Sequence, residues 1–286
     1  MKKIPEAFQD FLSRLELTES ERAEASRQHT HMREQIQKQT MMEVVENFLS
    51  GSYGRRTAIR PLNDIDIFVV RKSATGPGAR YVTPSEMIAE MKVTLEGIYP
   101  GKKATVSARA VNMEFLGSGI AYDVVPAFAA EADVYLIPDV EKNEWVRTNP
   151  KIHQAKSTEA NLRAKGKLIP LLKAVKHANN QHGRLARSFH LEVLSWQVVT
   201  ADPGAYLDGL VMLLDGLAQR VCLPCPDPAG LGPAIQPSLA KCQAAQKWLN
   251  EMAGLARAAQ LLDSLNRLEE AHAALQKIFG EAWRSR

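Results

Sequence analysis

Cysteine is scarce in this chain of 286 residues, which contains three copies. Cys222 and Cys225 form one C-x-x-C pair in a proline-rich stretch, but there is neither a second pair nearby nor a histidine at zinc-finger spacing. A structural zinc site is therefore not expected. We interpret these two thiols, together with Cys242, as ordinary loop residues.

The chain also lacks long apolar runs and a strong excess of charge. No uninterrupted apolar stretch approaches the roughly 20 residues of a membrane-spanning helix, and the N-terminal sequence MKKIPEAF lacks the apolar core of a signal peptide. The 36 basic and 32 acidic residues give a net charge of +4, which is too mild to indicate a nucleic-acid binder. We therefore expect a cytoplasmic globular protein with no membrane segment and no strong binding of nucleic acid.

What the chain does have is enough apolar material for a real core. Hydrophobic residues make up 45% of it, and a chain of this length is expected to form two closely packed lobes. The predicted strands fall within residues 1–150, whereas residues 151–286 are predicted to be mainly helical. We place the boundary between the lobes at residue 150.

The most informative stretch covers residues 48–70 and reads FLSGSYGRRTAIRPLNDIDIFVV. Its last part is an apolar run that contains Asp64 and Asp66 and has the alternation of a strand. Because side chains alternate at period two, both carboxylates project to the same side, about 7 Å apart at the backbone. That separation lets two aspartates hold one or two hard cations that also hold a triphosphate. The predicted faces are Ile65, Ile67 and Val69 on one side, and Asp64, Asp66 and Phe68 on the other.

A Gly51-Ser52 pair lies about a dozen residues before these aspartates. Small residues with free backbone amides can approach a phosphate closely, although a glycine-serine pair alone is found in countless turns. A phosphate chain also needs positive charge concentrated in one place. Three arginines near the pair can supply it, or each can be a solvated surface residue: Arg55, Arg56 and Arg60.

Local signals predict the surrounding elements. A T-x-x-E capping box at Thr18 and Glu21 begins a helix that we predict to continue to about Phe48. A polar, glycine-rich loop is predicted at residues 73–82. The other predicted elements are helices at 6–15 and 84–98, strands at 64–71 and 104–110, and a hairpin of 111–116 with 120–125.

Asp123 is a charge on the last predicted strand, on the face where a sheet interior normally has none. A lone aspartate in a strand is more often an edge or bulge residue than a ligand. If this strand lies next to residues 64–71, about 5 Å away, three carboxylates converge. Like charges at that spacing repel by several kcal/mol, and a cation resolves the conflict. Oxygen ligands without cysteine or histidine favour Mg²⁺ or Mn²⁺.

These motifs, in this order and spacing, resemble the nucleotidyltransferase superfamily of DNA polymerase beta. More narrowly, the chain is similar to the bacterial CD-NTases, relatives of animal cyclic GMP-AMP synthase and oligoadenylate synthase that make nucleotide second messengers in anti-phage defence. The resemblance covers nearly the whole chain. It is carried by GS at 51–52, TAI at 57–59, DID at 64–66, YDVVPAF at 122–128, WVRTNP at 145–150, LIPLLKAVKH at 168–177, SFHLEVL at 188–194 and PDP at 226–228.

The resemblance implies an α/β (α+β) fold in which a polymerase-beta-like sheet lobe, residues 1–150 with a long N-terminal helix, faces a helical lobe, residues 151–286, across a nucleotide cleft. It implies condensation of nucleoside triphosphates, ATP among them, into a cyclic di- or trinucleotide with release of pyrophosphate. Two Mg²⁺ or Mn²⁺ ions are expected. Asp64 and Asp66 would hold the ion on the triphosphate, and Asp123 would help hold the second.

The resemblance also places Lys173 and Ser188 near the donor triphosphate and Phe189 where relatives stack an aromatic ring on a base. An ammonium and a hydroxyl suit phosphate oxygens, and an aromatic face suits a nucleobase by about 1–3 kcal/mol. The alternatives are an exposed lysine, a helix-capping serine and a core phenylalanine. Glu192, in the same SFHLE phrase, is interpreted as structural rather than catalytic.

Two other functions compete with this interpretation. One is a nucleotidyltransferase that makes linear oligonucleotides or modifies RNA or protein, and the other is a catalytically silent nucleotide-binding module. Activation by DNA is not expected, since the chain has no His/Cys cluster matching the zinc-bearing insertion of the animal enzyme. The resemblance leaves open control by a HORMA-type or other defence-operon partner.

Overall fold

The computed structural model describes residues 1–72 and 82–285, so the loop predicted at 73–82 lies outside the described residues except for Val82. The strands are β1 (Val44–Ser50), β2 (Asp64–Arg71), β3 (Thr105–Val106), β4 (Val111–Phe115), β5 (Ile120–Glu131), β6 (Val134–Asp139) and β7 (Glu144–Thr148). The helices are α1 (Ile4–Leu15), α2 (Glu19–Gln37), α3 (Gly51–Gly54), α4 (Pro84–Ile98), α5 (Pro150–Arg163), α6 (Leu168–Gln181), α7 (Ser188–Val198), α8 (Tyr206–Arg220), α9 (Leu239–Ser264) and α10 (Leu268–Phe279).

The strands form one mixed sheet with the order β1-β2-β5-β4-β3, and β6 and β7 continue from the far end of β5. β2 is antiparallel to β1 and parallel to β5, so it is covered by hydrogen-bonded neighbours on both sides. The hairpin of β4 and β5 is antiparallel, as predicted. β2 therefore lies next to the strand that carries Asp123.

The alternation predicted for β2 is confirmed, including both ends of the strand. Ile65, Ile67 and Val69 are buried in a core shared with α2 and α4. Phe68, on the opposite face, is buried in a smaller core with Tyr135 of β6. At the start of the strand that second face is uncovered, because Asp64 is exposed and Asp66 is only half-buried.

The prediction of one helix from the capping box to about Phe48 is wrong beyond Gln37. The capping box is present, since the Thr18 hydroxyl accepts a hydrogen bond from the backbone N–H of Glu21, but the helix that it starts ends at Gln37. A single 3₁₀ turn and the left-handed Glu43 then lead into β1. Valine, phenylalanine and leucine favour a strand here, and pairing with the edge of β2 outweighs the helical pattern.

Two further strand predictions need correction. The strand predicted at 104–110 is reduced to the two residues of β3. β5 continues to Glu131 through Pro126, a residue that usually signals the end of a strand, because residues 121–128 pair with the whole of β2. β6 and β7 were not predicted, and they extend the sheet beyond this point.

Helices α5–α10 surround the largest hydrophobic core, and α1 packs into it although it comes first in the chain. α6 begins at Leu168, so Pro170 lies in its first turn, where the missing N–H disrupts no helical hydrogen bond. None of the helices in the described ranges has the length and apolar character needed to cross a bilayer.

Candidate active site

The register of β2 with β5 brings the predicted carboxylates together. Asp66 lies directly beside Asp123 in the parallel pair, and Asp64 lies beside Ala121. On the other side of β2, Ser50 at the end of β1 is opposite Asp66. We call Asp64, Asp66 and Asp123 the acid wall.

The acid wall carries mutual repulsion that the protein only partly neutralises. Burial, followed by the negative charges of Asp64 and Asp123, raises the pKa of Asp66 to about 6, although Arg55 opposes the shift. The side chain of Asp64 reaches solvent, yet the surrounding protein and then Asp123 raise its pKa as well. Both shifts show that negative charge is disfavoured here, and a bound cation would reverse that preference.

Carboxylate oxygens are the ligands that hard cations such as Mg²⁺ prefer. In the described ranges, however, no three histidine, cysteine or acidic side chains already form a group that could hold a metal ion. Oδ1 of Asp123 accepts a hydrogen bond of 3.0 Å from the amide of Asn112. The acid wall would have to rearrange its side chains to enclose a cation.

The surroundings of residue 51 require it to be glycine. It follows β1 directly and has a φ of +59°, a conformation that glycine adopts without steric cost. A Cβ atom at this position would lie 1.6 Å from Oδ2 of Asp66, so no other residue fits without displacing that carboxylate. The Ser52 carbonyl accepts hydrogen bonds from the backbone N–H groups of Thr57 and Ala58 and turns the chain back toward β2.

One open cavity of about 770 Å³ lies between the sheet and the helices, and we call it the cleft. Of the predicted site residues, Gly51, Ser52, Asp64, Asp66, Ser188 and Phe189 all line it. Asp123 lines an adjoining cavity of about 370 Å³ that Asp66 and Phe189 share. The helical side of the cleft is rich in basic residues, which we call the basic wall: Lys176, Arg184, Arg187 and Lys241.

Lys173 is the predicted site residue that the structure places neither in the cleft nor in the adjoining cavity that Asp123 lines. It is buried, its Nζ lies 2.6 Å from Oε1 of Glu16, and it lines a different cavity. One turn later on α6, Lys176 faces the cleft and donates hydrogen bonds to the Thr57 carbonyl and to Glu192. The three-residue offset separates the two side chains by only about 60° around the helix axis, and the packing of α6 between the two cavities directs the ammonium groups to different ones. The signal for Lys176 is the polar stripe that it forms with Asn179 and Asn180 at i+3 and i+4.

Glu192 is the centre of a buried network beneath the cleft. It forms an ion pair of 2.7 Å with Arg55 and one of 3.1 Å with Lys176. It also accepts a hydrogen bond of 2.8 Å from the Thr57 hydroxyl. Burial by itself would raise the pKa of Glu192, but Arg55 and Lys176 outweigh burial and lower it. The carboxylate therefore connects α7 to the segment after α3, consistent with a structural role.

Phe189 is half-buried at the junction of the cleft and its adjoining cavities. The guanidinium of Arg55 lies 4.8 Å from the centre of its ring, and the ring of His153 lies 5.1 Å away. His153 in turn contacts Asp227 of the PDP motif at 2.7 Å. Asp227 also accepts hydrogen bonds from two backbone N–H groups of its own loop. This His153–Asp227 contact, which the sequence did not reveal, supports the Phe189 side of the site.

Comparison with known sequences gives one family and several relatives. Residues 1–161 match the family described as Second Messenger Oligonucleotide or Dinucleotide Synthetase domain. A cyclic AMP-AMP-AMP synthase of Acinetobacter sp. (strain ATCC 27244 / 9458) is 30% identical over 179 residues, which are 59% of this chain and 50% of that protein. A probable cyclic nucleotide synthase of Bacillus cereus (strain VD146) is 28% identical over 194 residues, 52% of this chain and 57% of that protein. The chain thus spans about half the length of these curated relatives.

Solved structures share the fold at low sequence identity. CdnC of Escherichia coli MS115-1, solved with ATP, superimposes with a TM-score of 0.78 at 15% identity over 98% of both chains. The CD-NTase CdnG of Bradyrhizobium diazoefficiens, solved with GTP, gives 0.74 at 15% identity over 99% of both chains. The predicted fold class is confirmed. Because the family match includes more than half of the chain, this protein belongs to the second messenger oligonucleotide or dinucleotide synthetase family of bacterial CD-NTases.

Proposed function

We propose that this chain is a nucleotidyltransferase that condenses nucleoside triphosphates, ATP among them, into a cyclic di- or trinucleotide second messenger and releases pyrophosphate. The observation that carries the proposal is the opposition of the acid wall and the basic wall across the cleft. Carboxylates that suit cations and basic groups that suit phosphates are what the transfer of a nucleotidyl group requires.

Each wall has its own task in this proposal. Asp64 and Asp66 hold the cation that accompanies the donor triphosphate, and Asp123 helps hold a second one. When bound, two Mg²⁺ or Mn²⁺ ions supply charge neutralisation at the α-phosphate and lower the pKa of the attacking hydroxyl. The Gly51 backbone, the Ser52 hydroxyl and, across the cleft, Lys176 and Ser188 bind the phosphate chain, and Phe189 offers its aromatic ring for stacking on a base.

The reaction balances without any further reagent. The oxygen of a ribose 2′- or 3′-hydroxyl forms a bond to the α-phosphorus of the donor, the bond to the pyrophosphate oxygen breaks, and the hydroxyl proton passes to solvent. After one or two such steps, the remaining triphosphate of the linear intermediate must reach the acid wall for ring closure. A short intermediate can turn within the cleft, which favours ring closure over extension.

The experiment is to incubate the purified protein with the four labelled nucleoside triphosphates and Mg²⁺ or Mn²⁺, with EDTA as the control. Products are treated with phosphatase and analysed by mass spectrometry. We expect a product of two or three nucleotides that resists phosphatase and weighs one water less than its linear form. A phosphatase-sensitive ladder would identify a linear oligonucleotide synthase. In a parallel reaction RNA and an acceptor protein are added. Incorporation that requires either of these, or no incorporation in any reaction, would reject the proposal.

Regulation by a HORMA-type protein is a subordinate hypothesis. CdnC of Escherichia coli MS115-1 has also been solved as a CdnC:HORMA-deltaN complex, and it is 15% identical to this chain. That likeness motivates testing whether a HORMA-type protein alters the rate of nucleotide incorporation. An unchanged rate despite demonstrated binding would remove the hypothesis.

A further inference from the structure

A second cavity of about 730 Å³ lies behind the segment that we assign to the donor phosphates. Gly51, Ser52 and Arg55 line the cleft, whereas Tyr53, Gly54 and Arg56 line this second cavity, and Ala58 lines both. Residues 51–58, which are α3 and the residues that follow it, therefore separate the two cavities, and we call them the partition. The second cavity is completed by Glu16, Leu17, Arg22, Arg33, Phe48, Leu49, Gln154 and Lys173.

The second cavity has an excess of positive charge. Four of its lining residues are basic, and Glu16 is the only acid among the described residues that line it. Glu16 is shared, because it lies 2.6 Å from Lys173 and 3.7 Å from Arg22. Arg33 donates its hydrogen bonds to the neutral side chain and backbone of Asn47. Three formal positive charges therefore have no carboxylate to balance them at this cavity.

Two of these basic residues are held under unfavourable conditions. The side chain of Lys173 is 7% exposed. Burial lowers its pKa, Glu16 partly opposes this shift, and the nearby charges of Lys176 and Arg22 add to it. Arg56 has a φ of +62°, a conformation that residues other than glycine, asparagine and aspartate rarely adopt. No hydrogen bond or ion pair of its side chain to another described residue is present. Strain and uncompensated charge thus coincide on one wall of a cavity.

We propose that the second cavity is a binding site for a small organic anion with two or more adjacent phosphate or carboxylate groups. Arginine forks bind either group through paired N–H donors, and the lysine contributes a point charge. Leu17, Phe48 and Leu49 provide an apolar wall for the body of the ligand. The volume is within the range of ordinary small-molecule sites. An anion bound here would contact the partition that also lines the cleft.

The test is calorimetric titration in EDTA with three probes: tripolyphosphate, ATP and citrate. Without divalent cations the acid wall repels anions from the cleft, whereas the second cavity needs no metal. We expect one site for at least one probe, and binding at least tenfold weaker after Arg22→Ala combined with Arg56→Gly. Both side chains are exposed, and glycine suits the backbone at residue 56, so this variant should fold. Arg27→Ala on the same helix, an exposed arginine outside the cavity, is the matched control and should change binding less than twofold.

The probes also separate the two chemical sources of such an anion. Similar affinity for tripolyphosphate and citrate indicates recognition of charge alone, whereas preference for ATP indicates a nucleotide. Asp64→Asn with Asp66→Asn should strengthen anion binding in the cleft and leave the second cavity unchanged. The proposal is overturned if no probe binds at millimolar concentration, or if the Arg22/Arg56 variant binds like wild type. None of these measurements requires turnover, so failure of the proposed activity would leave them intact.

Discussion

The two walls of the cleft are built by different kinds of structure. The acid wall lies on neighbouring strands, where the register of β2 with β5 fixes Asp66 beside Asp123. The basic wall comes from α6, the segment between α6 and α7, and α9, and Lys176 reaches it because of the way α6 packs. Strand alternation can be read from sequence, whereas helix rotation depends on packing. This difference explains why one wall was predicted residue by residue and the other was not.

The largest expected effect comes from removing the charge of the acid wall. Asp64→Asn with Asp66→Asn should reduce nucleotide incorporation by about a thousandfold or more, because amides cannot neutralise divalent cations that stabilise the transition state by several kcal/mol. The variant should remain folded, since it also removes mutual repulsion. The measurement is incorporation of labelled ATP with Mg²⁺. Asp133→Asn, an exposed acid away from the cleft, is the control, and activity retained in the folded double variant would remove the catalytic role of this wall.

The next prediction disturbs the acid wall without changing its charge. Gly51→Ala would place a methyl group on the Asp66 carboxylate, and a shift of about 1 Å in a catalytic group can cost about a hundredfold in rate. Gly119→Ala is a matched control, because Gly119 also has a positive φ, of 69°, but nothing lies within 4 Å of the added Cβ. Rates and melting temperatures of both variants separate steric displacement from backbone strain. Equal activities of the two variants would contradict the close contact at Gly51.

The parts of the fold that sequence predicted carry strong local signals. β2 alternates over its whole length, and α4 begins with a Thr83 capping box followed by Pro84. The predicted continuation of α2 to Phe48 was wrong because residues 44–50 are compatible with both a helix and a strand, and pairing with β2 selects the strand. The sequence predicts the contact of β2 with β5 only as a condition, since it gives neither the direction nor the register of pairing between distant strands. Lys173 and Lys176 lie one turn apart on α6, and only packing decides which of the two ammonium groups reaches the cleft.

The third prediction therefore compares these two lysines. Lys176→Met should lower kcat/KM for ATP by about 10- to 100-fold, because a charge-assisted phosphate contact contributes about 1.5–3 kcal/mol. Lys173→Met should change it less than about threefold. The pair is well matched, since both ammonium groups are buried beside a carboxylate. Steady-state kinetics at limiting ATP provide the measurement, and the reverse order of effects would return Lys173 to the phosphate site.

The smallest expected effect concerns the charge of Asp66 in the metal-free protein. Its pKa is raised to about 6 in the folded state, from about 3.9 for an unperturbed aspartate, so the folded protein binds this proton more tightly than the unfolded chain. The contribution of Asp66 to the free energy of unfolding should therefore be greatest below about pH 4 and should fall as the pH rises to about 6, by about 1–2 kcal/mol for a half-buried group. Mg²⁺ binds the ionised carboxylates, so its stabilising effect should grow through the same pH range.

Urea unfolding of wild type and Asp66→Asn, in EDTA and in Mg²⁺, isolates this residue because the other acids are common to both proteins. In EDTA the advantage of Asp66→Asn over wild type should increase between about pH 4 and pH 6 and then level off. In Mg²⁺ that advantage should shrink or reverse. The bound cation neutralises the repulsion among the wild-type carboxylates, whereas the amide of the variant cannot bind the cation as a charged ligand. A difference between the two proteins that does not change with pH would mean that Asp66 titrates normally, and that the acid wall is not poised to receive a cation.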